Sequence, residues 1–262
     1  MATPTDIQRV YGLIGYPLSH SFSSTYFNQK FRAEHIPAQY INFEIDDVNQ
    51  LMEILSEQPL LAGLNVTAPY KEQVIPFLTS LDPDAEAIGA VNVIRITRDE
   101  HSGEVVDLRG FNSDVVGFGR SIEPLLTDAH KSAMVLGTGG AAKAVTAALR
   151  KLGVEVQPVS RHKNASTITY EEITKAMVGA HQIVVNATPL GKYPKPDECP
   201  DFPYRFLTPN HLCYDLIYNP AETTFMRKSA DAGAQTKNGL EMLLLQAFVS
   251  YEIWTEGRAD VI

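Results

Sequence analysis

The sequence predicts an α/β fold of two domains, each built from strands alternating with helices. Apolar, β-branched runs of strand length alternate with segments of helical periodicity along the whole chain. The alternation restarts near Asn112, and 262 residues suit two domains of modest size at roughly 100–200 residues each. A strand-like run, Ala133–Leu136, passes through a glycine-rich turn into an alanine-rich helical stretch.

The elements follow in order. Val10–Ile14 reads as a strand, and Ser23–His35 as a helix with Tyr26, Phe27, Lys30 and Phe31 at helical spacing. Ala38–Phe43 predicts a second strand, and Val48–Ser56 a helix burying Leu51, Ile54 and Leu55. Leu61–Val66 is a third strand, and Lys71–Phe77 a short helix after Pro69. In the second half, Val116–Leu126 reads as a helix, Ala133–Leu136 as a buried strand, and Ala141–Leu152 as a helix closed by Gly153. Val154–Val159, Gln182–Asn186 and Leu212–Leu216 are strands, Tyr170–Val178 is a helix, and the Pro-rich stretch Tyr193–Pro209 is a loop. Gly239–Thr255 predicts one strong helix, with Leu240, Leu243, Leu244, Ala247, Phe248, Tyr251 and Trp254 on one broad face.

Composition narrows the class. Hydrophobic residues make up 44%, enough for a substantial core, and the formal net charge is −9. An acidic chain has no general attraction to nucleic acid. An anionic ligand would need local hydroxyl, cationic or backbone N–H groups. Two cysteines, Cys199 and Cys213, form no metal-binding or disulfide pattern, and the seven histidines show no pair at ligand spacing, so no metal is expected. Met1 to Val10 has no apolar signal core, and no stretch approaches the roughly 18 consecutive apolar residues of a membrane span. The expectation is a cytoplasmic protein acting on a small molecule, with no nucleic-acid or membrane partner.

The turn Gly137-Thr138-Gly139-Gly140-Ala141-Ala142 lies between strand and helix. That is the context in which glycines serve a dinucleotide: one for the tight turn, one for close approach to a diphosphate, and a small residue for helix–strand packing. The helix then offers free N–H groups to the phosphates. A plain tight βα turn is the alternative. After the next strand comes Ser160-Arg161-His162-Lys163, with no carboxylate for ribose hydroxyls and cations in position for a 2′-phosphate. This favours NADP(H), the alternative being a solvated basic turn.

Three polar clusters follow predicted strands, where open α/β sheets place their ligands. The first, Gly15 to Ser23, is rich in hydroxyls. Ser21 and Ser23 could hold a carboxylate, or simply cap the following helix. The second, Asn65 to Lys71, puts Lys71 in the first turn of the predicted helix. The helix dipole disfavours a cation there by roughly 0.3–1 kcal/mol, which suits acid–base work; an ordinary surface lysine is the alternative. The third joins Ala90-Val91-Asn92 to Phe111-Asn112-Ser113-Asp114. Its amides and carboxylate could bind hydroxyls, or Asn112 or Asp114 could cap a helix. In one chain with a dinucleotide turn, the three clusters together weigh against the capping and surface alternatives.

These segments resemble shikimate dehydrogenases over nearly the whole chain. The resemblance rests on G-x-P-x-x-H-S-x-S at Gly15 to Ser23, N-V-T-x-P-x-K at Asn65 to Lys71, A-V-N at Ala90 to Asn92, and N-[ST]-D at Asn112 to Asp114. It continues through the turn Gly137 to Ala142, N-A-T-P-x-G at Asn186 to Gly191, Y-D-x-x-Y at Tyr214 to Tyr218, and G-x-x-M-L-x-x-Q-A at Gly239 to Ala247. Ser24, Val93, Val115 and Ser160 depart from the usual residues, and none of these removes a catalytic group.

The resemblance implies an N-terminal α/β substrate-binding catalytic domain over residues 1–111, completed by the helix of 238–262, and a Rossmann-like, dinucleotide-binding domain for NADP over 112–237, with the active site in the cleft where they meet. It implies reversible reduction of 3-dehydroshikimate to shikimate, a step toward chorismate and aromatic amino acids. Lys71 and Asp114 would be the catalytic pair. Ser21, Ser23, Thr67, Asn92, Tyr218 and Gln246 would bind substrate. Gly137, Gly139, Gly140, Ala141, Ser160, Arg161, Asn186, Thr188 and Gly239 would bind NADP(H). The assembly would be a monomer or homodimer. The nearest alternative is an NAD-preferring quinate/shikimate dehydrogenase. From another class, a non-catalytic dinucleotide-sensing module would keep the glycine turn without needing Lys71 and Asp114 together.

Overall fold

The computed structural model describes residues 7–18 and 21–255. Ser19 and His20 of the first polar cluster, residues 1–6, and residues 256–262 of the expected C-terminal segment lie outside the described residues. The chain divides into two compact units, Met1–Ser113 with Ala247–Ile262, and Asp114–Gln246.

The first unit runs β1 (Arg9–Gly15), α1 (Ser23–Ala33), β2 (Ala38–Glu44), α2 (Leu51–Glu57), β3 (Leu61–Val66), β4 (Ser80–Leu81), α3 (Pro83–Ile88), β5 (Val93–Arg98) and β6 (Val105–Phe111). Its sheet has the order β2-β1-β3-β5-β6-β4. Strands β2, β1 and β3 are parallel, whereas β5 lies antiparallel to both β3 and β6. The first half thus matches the expected parallel α/β pattern, and the second half turns the sheet mixed. Strands β1 and β3 are almost wholly buried, as their near-continuous apolar runs require of strands covered on both faces. One face packs Ile14, Leu51, Leu55, Leu64 and Val74; the other packs Tyr11, Phe27, Phe31, Tyr40 and Trp254.

The second unit runs α4 (Asp114–Ile122), β7 (Ser132–Leu136), α5 (Gly140–Lys151), β8 (Glu155–Val159), α6 (Lys175–Ala180), β9 (Ile183–Asn186), β10 (Leu212–Asp215), α7 (Thr224–Asp231) and β11 (Gln235–Lys237), and α8 (Leu240–Thr255) closes the series. Its five strands pair in parallel in the order β11-β10-β9-β7-β8. Strand β7 has β8 on one side and β9 on the other, so the winding reverses at β7, the point at which such sheets bind ligands. Pro158, which has no N–H to donate, lies in β8 at the edge, where a strand tolerates proline. Gly153, at φ 77°, follows α5 in the left-handed conformation that glycine adopts at little cost.

Several expected elements differ. The helix expected over Lys71–Phe77 is absent: a run of turns leads to a single 3-10 turn, Ile75–Phe77. An α-helix would give the Lys71 carbonyl to Ile75, but the Val91 N–H takes it at 2.7 Å and the Ile75 N–H turns to Glu72 instead. Pro76 disfavours the helical conformation of the residue before it. The helix expected over Tyr170–Val178 splits, because Thr174 caps a new helix by accepting from the Met177 N–H at 3.2 Å. The apolar face expected of the last helix is also different. Leu240, Leu244 and Phe248 are exposed, while Met242, Ala247, Val249, Tyr251 and Trp254 are buried.

Trp254 anchors the end of α8 in the first unit. It stacks on Tyr11 with ring centroids 4.8 Å apart, and its indole N–H donates to the Ile94 carbonyl at 3.0 Å. Gly63 on β3 leaves room for that indole, which a β-carbon there would strike.

Candidate active site

In the first unit, the polar clusters gather at the C-terminal ends of β1 and β3. The Thr67 N–H donates to the Ile14 carbonyl at 3.0 Å, and the Tyr16 N–H to Ala68 at 3.1 Å, so the two clusters run side by side beyond the sheet. Gly15 makes this possible, since a β-carbon there would collide with the Thr67 methyl. The third cluster joins them: Val66 N–H donates to the Asn92 carbonyl at 2.8 Å, and Val91 N–H to Lys71 at 2.7 Å. Thr67, Lys71 and Asn92 are therefore tied together by their own backbones. Without a helix at Lys71, no helix dipole acts on it, and its setting comes from this tie and from Tyr70. The Tyr70 ring is buried and its hydroxyl donates to the Ile45 carbonyl at 2.7 Å.

Ser21 and Ser23 do not cap α1. The N-cap is Phe22, which makes no side-chain capping bond. The Ser23 hydroxyl instead bonds the phenol of Tyr40, which burial pushes well above the ordinary tyrosine range and the Ser23 bond pulls down. Behind them lies a buried polar chain. The Tyr40 hydroxyl donates to Asn65 Oδ1 at 2.8 Å, and Asn65 Nδ2 donates to Ser250 Oγ at 3.0 Å and the Asn92 carbonyl at 3.3 Å. Ser113 Oγ lies 3.1 Å from Ser250 Oγ, and Asn92 Nδ2 donates to Ser113 Oγ at 3.0 Å. Asn112 is buried beside this chain, its amide donating to the Ala90 carbonyl at 2.8 Å.

The second unit opens at Asp114, buried at the first position of α4, where the helix dipole favours a carboxylate. Gly117, one turn on, lets α4 pass close to Gln246, whose β-carbon and N–H a side chain would meet at 2.9 Å. Gly239 lets the start of α8 lie against the Leu216 carbonyl, and its N–H donates to Ile217 at 3.0 Å. This sets α8 beside the loop carrying half-buried Tyr218.

The glycine turn follows β7 directly. Gly137 has φ 113° and faces the Ala187 carbonyl, 3.1 Å from where a β-carbon would sit. Gly139 is the N-cap of α5 with no side-chain bond to the helix, and the space where its side chain would be is open. A 12-residue helix thus presents its first N–H groups at the winding reversal, which fits a dinucleotide diphosphate. Beyond β8, the Ser160 hydroxyl accepts from the His162 N–H at 3.3 Å, and Lys163 is paired with Glu172. Arg161 is exposed and near Tyr170: burial raises the phenol's pKa and the Arg161 charge pulls it down. These residues fit the 2′-phosphate of NADP(H).

Asn186, fully buried at the end of β9, spends its side chain within the protein. Its Oδ1 accepts from Thr188 N–H at 3.1 Å and Thr188 Oγ1 at 2.7 Å, and its Nδ2 donates to Asp215 Oδ1 at 3.0 Å. It therefore shapes the loop that faces Gly137. Asp215, also fully buried, accepts as well from Ile217 N–H at 3.0 Å and Thr223 Oγ1 at 2.6 Å. Burial pushes its carboxyl up to about 6 from 3.8, with the three hydrogen bonds pulling the other way. A raised folded-state pKa means the native protein holds this proton more tightly than the unfolded chain. The cost of burying the charge is full above about pH 6 and is relieved as pH falls toward 3.8. Asp215→Asn carries no such charge. Its stability relative to wild type, read from urea midpoints, should be highest at pH 7 and fall by about 3 kcal/mol at most as pH drops through that window. A pH-independent difference would contradict this.

Sequence reasoning did not single out Tyr40, Ser113, Ser250 or Asp215 as site residues. Asp215 and Ser113 sit inside quoted motifs, and an acidic residue ending an otherwise apolar strand was the available signal for Asp215. Tyr40 and Ser250 are isolated in the sequence, and only the fold joins them to Asn65.

A family model described as "Shikimate dehydrogenase substrate binding domain" matches residues 13–94. A curated shikimate dehydrogenase (NADP(+)) of Desulforamulus reducens is 38% identical over 97% of this chain and 92% of the relative. The crystal structure of shikimate dehydrogenase from Aquifex aeolicus superposes with a TM-score of 0.82 at 32% identity, covering 97% of this chain and 94% of that one. A quinate dehydrogenase from Corynebacterium glutamicum, solved with NAD, gives 0.79 at 28% identity, covering 95% and 94%. The chain belongs to the shikimate dehydrogenase family.

Proposed function

We propose that this protein is an NADP-dependent shikimate dehydrogenase that interconverts 3-dehydroshikimate and shikimate. The observation that carries the reading is the backbone tie of Thr67, Lys71 and Asn92 at the ends of β1 and β3, in a chain that also carries a dinucleotide turn at the winding reversal of its second sheet. When bound, NADPH supplies the hydride. Lys71 gives the proton to the oxygen of the ring ketone as it becomes a hydroxyl, and takes it back in the oxidation of shikimate. Asp114 orients the Lys71 ammonium and shares its proton. Thr67, Asn92, Tyr218 and Gln246 hold the ring hydroxyls, and Ser21 and Ser23 the carboxylate.

Gly137, Gly139, Gly140 and Ala141 bind the diphosphate. Arg161 and Ser160 take the 2′-phosphate, and Asn186, Thr188 and Gly239 shape the nicotinamide end. The substrate domain is residues 1–111 with 238–262, and the NADP-binding domain is residues 112–237. The enzyme works in the cytoplasm as a monomer or homodimer. No helix among the described residues is long and apolar enough to cross a membrane.

Calorimetry with shikimate and with NADP⁺ tests the assignment of the serines. The wild-type chain should bind both ligands, and Ser21→Ala with Ser23→Ala should weaken shikimate far more than NADP⁺. A wild type that binds NADP⁺ but not shikimate would point instead to a dinucleotide sensor. Equal losses for both ligands in the double variant would point to a folding defect rather than a carboxylate site.

A further inference from the structure

The pattern Thr-x-x-His occurs twice in the second unit, as Thr127-Asp128-Ala129-His130 ahead of β7 and as Thr208-Pro209-Asn210-His211 ahead of β10. The two segments fold into the same turn. In each, the histidine backbone N–H donates to the threonine carbonyl at 3.0 Å, and the threonine backbone N–H donates to the histidine Nδ1 at 3.0 Å. The threonine hydroxyl lies 3.3 Å from Nδ1 in the first turn and 2.9 Å in the second. A backbone N–H can only donate, so each Nδ1 carries a lone pair and the neutral ring holds its proton on Nε2. Both residues are buried, His130 at 9% exposed and His211 at 3%.

The Nε2 protons link the turns in series. His130 bonds the backbone of Asn210, inside the second turn. His211 Nε2 lies 3.0 Å from the Val178 carbonyl of α6. Strand β9 stands between β7 and β10 in the sheet, so the bond from His130 to Asn210 crosses the N-terminal end of β9. The glycine turn lies at the opposite end of β7.

We infer that these turns form an acid-sensitive latch on the second sheet, worked by His130: the neutral ring ties the turn ahead of β7 to the turn ahead of β10, and a proton taken up on Nδ1 displaces the Thr127 N–H. An imidazolium carries hydrogen on both nitrogens and accepts at neither. Burial holds the His130 pKa below the ordinary 6.5; the bond to Asn210 pulls it up, and the charge of His211 pulls it down. His211 is the titratable group that faces it from another segment, and the charged residues of its own segment, Asp128 and Lys131, are exposed. A lowered folded-state pKa means that the unfolded chain binds this proton more readily than the native protein. The stability that the latch contributes is therefore fully present above about pH 6.5 and is lost as pH falls through the lower folded value. The slope is opposite to that of Asp215, whose buried charge costs less as pH falls.

The test is scanning calorimetry of the full chain, wild type against His130→Asn, in steps from about pH 7.5 to about pH 5. The asparagine Oδ1 takes the place of Nδ1 as acceptor for the Thr127 N–H and does not titrate. His211 and Asp215 are present in both proteins, so the difference between the two transition midpoints isolates His130. Across that range the wild-type midpoint should fall by about 2–4 °C relative to that of His130→Asn, with nearly all of the change below about pH 6.5. A difference that stays constant with pH, or that moves in the opposite direction, overturns the inference. If His130→Asn does not fold, the wild type alone decides through an NMR titration of the His130 ring. Protonation of Nδ1 with a midpoint below about pH 6.5, accompanied by loss of the Thr127 hydrogen bond, supports the latch. A midpoint at or above that value, or a Thr127 bond that survives the titration, overturns it.

Discussion

Lys71→Ala should lower turnover by roughly 10²-fold or more, the usual scale for losing a general acid, with little change in affinity for shikimate. The expectation follows from how the chain holds this lysine. Its carbonyl is fixed by Val91 N–H at 2.7 Å, and the residue before it is anchored through the Tyr70 hydroxyl at 2.7 Å to Ile45. The backbone is thus clamped on the same segment that positions Thr67, and the half-buried side chain starts from a defined point. Binding by Ser21, Ser23, Thr67 and Asn92 does not pass through the ammonium, so the loss should fall on kcat. Steady-state rates with saturating substrates check it. Turnover near wild type in that variant would remove Lys71 from the chemistry.

Arg161→Ala should raise KM for NADP⁺ by roughly 10- to 150-fold and leave KM for NAD⁺ nearly unchanged. That range corresponds to losing one bond to a charged group, about 1.5–3 kcal/mol, at 1.4 kcal/mol per decade. The neighbouring cation Lys163 is engaged with Glu172, so it is poorly placed to substitute. Arginine also grips a phosphate through two parallel N–H groups, a geometry that lysine does not offer. Michaelis constants for both cofactors, measured on wild type and variant, decide the matter. Comparable use of NAD⁺ and NADP⁺ by the wild type, unaltered by the substitution, would move this chain toward an NAD-using quinate/shikimate dehydrogenase.

Much of the fold was legible where the sequence carries uninterrupted apolar runs. Strands β1, β3, β7 and β9 are buried on both faces, and such strands announce themselves without reference to partners. The region from Ser80 to Phe111 was harder to read. Strands β5 and β6 place Arg95, Arg98, Asp107 and Arg109 among their apolar residues. Their antiparallel pairing breaks the simple strand–helix alternation seen before them. The helix expected over Lys71–Phe77 gives way to a 3-10 turn at Ile75–Phe77 because Pro76 and the diversion of the Lys71 carbonyl to Val91 act together, and the second of these is a tertiary contact.

The candidate site shows the same division. Thr67, Lys71 and Asn92 could be named from motifs because each motif is contiguous. Their convergence depends on strand order, with β3 between β1 and β5. Tyr40 and Ser250, which bond the buried Asn65 amide, are separated from it by 25 and 185 positions. No local pattern marks a residue whose partner is that far along the chain. No helix starts at Lys71, so the dipole expected there does not act on it, while its backbone stays tied to the segments of Thr67 and Asn92.

The most direct measurement is the rate of reduced-cofactor formation by the purified protein with shikimate or quinate, each paired with NADP⁺ or NAD⁺. Shikimate with NADP⁺ should give the highest kcat/KM of the four pairs. A higher value for quinate with NAD⁺, or no turnover with any pair, would contradict it.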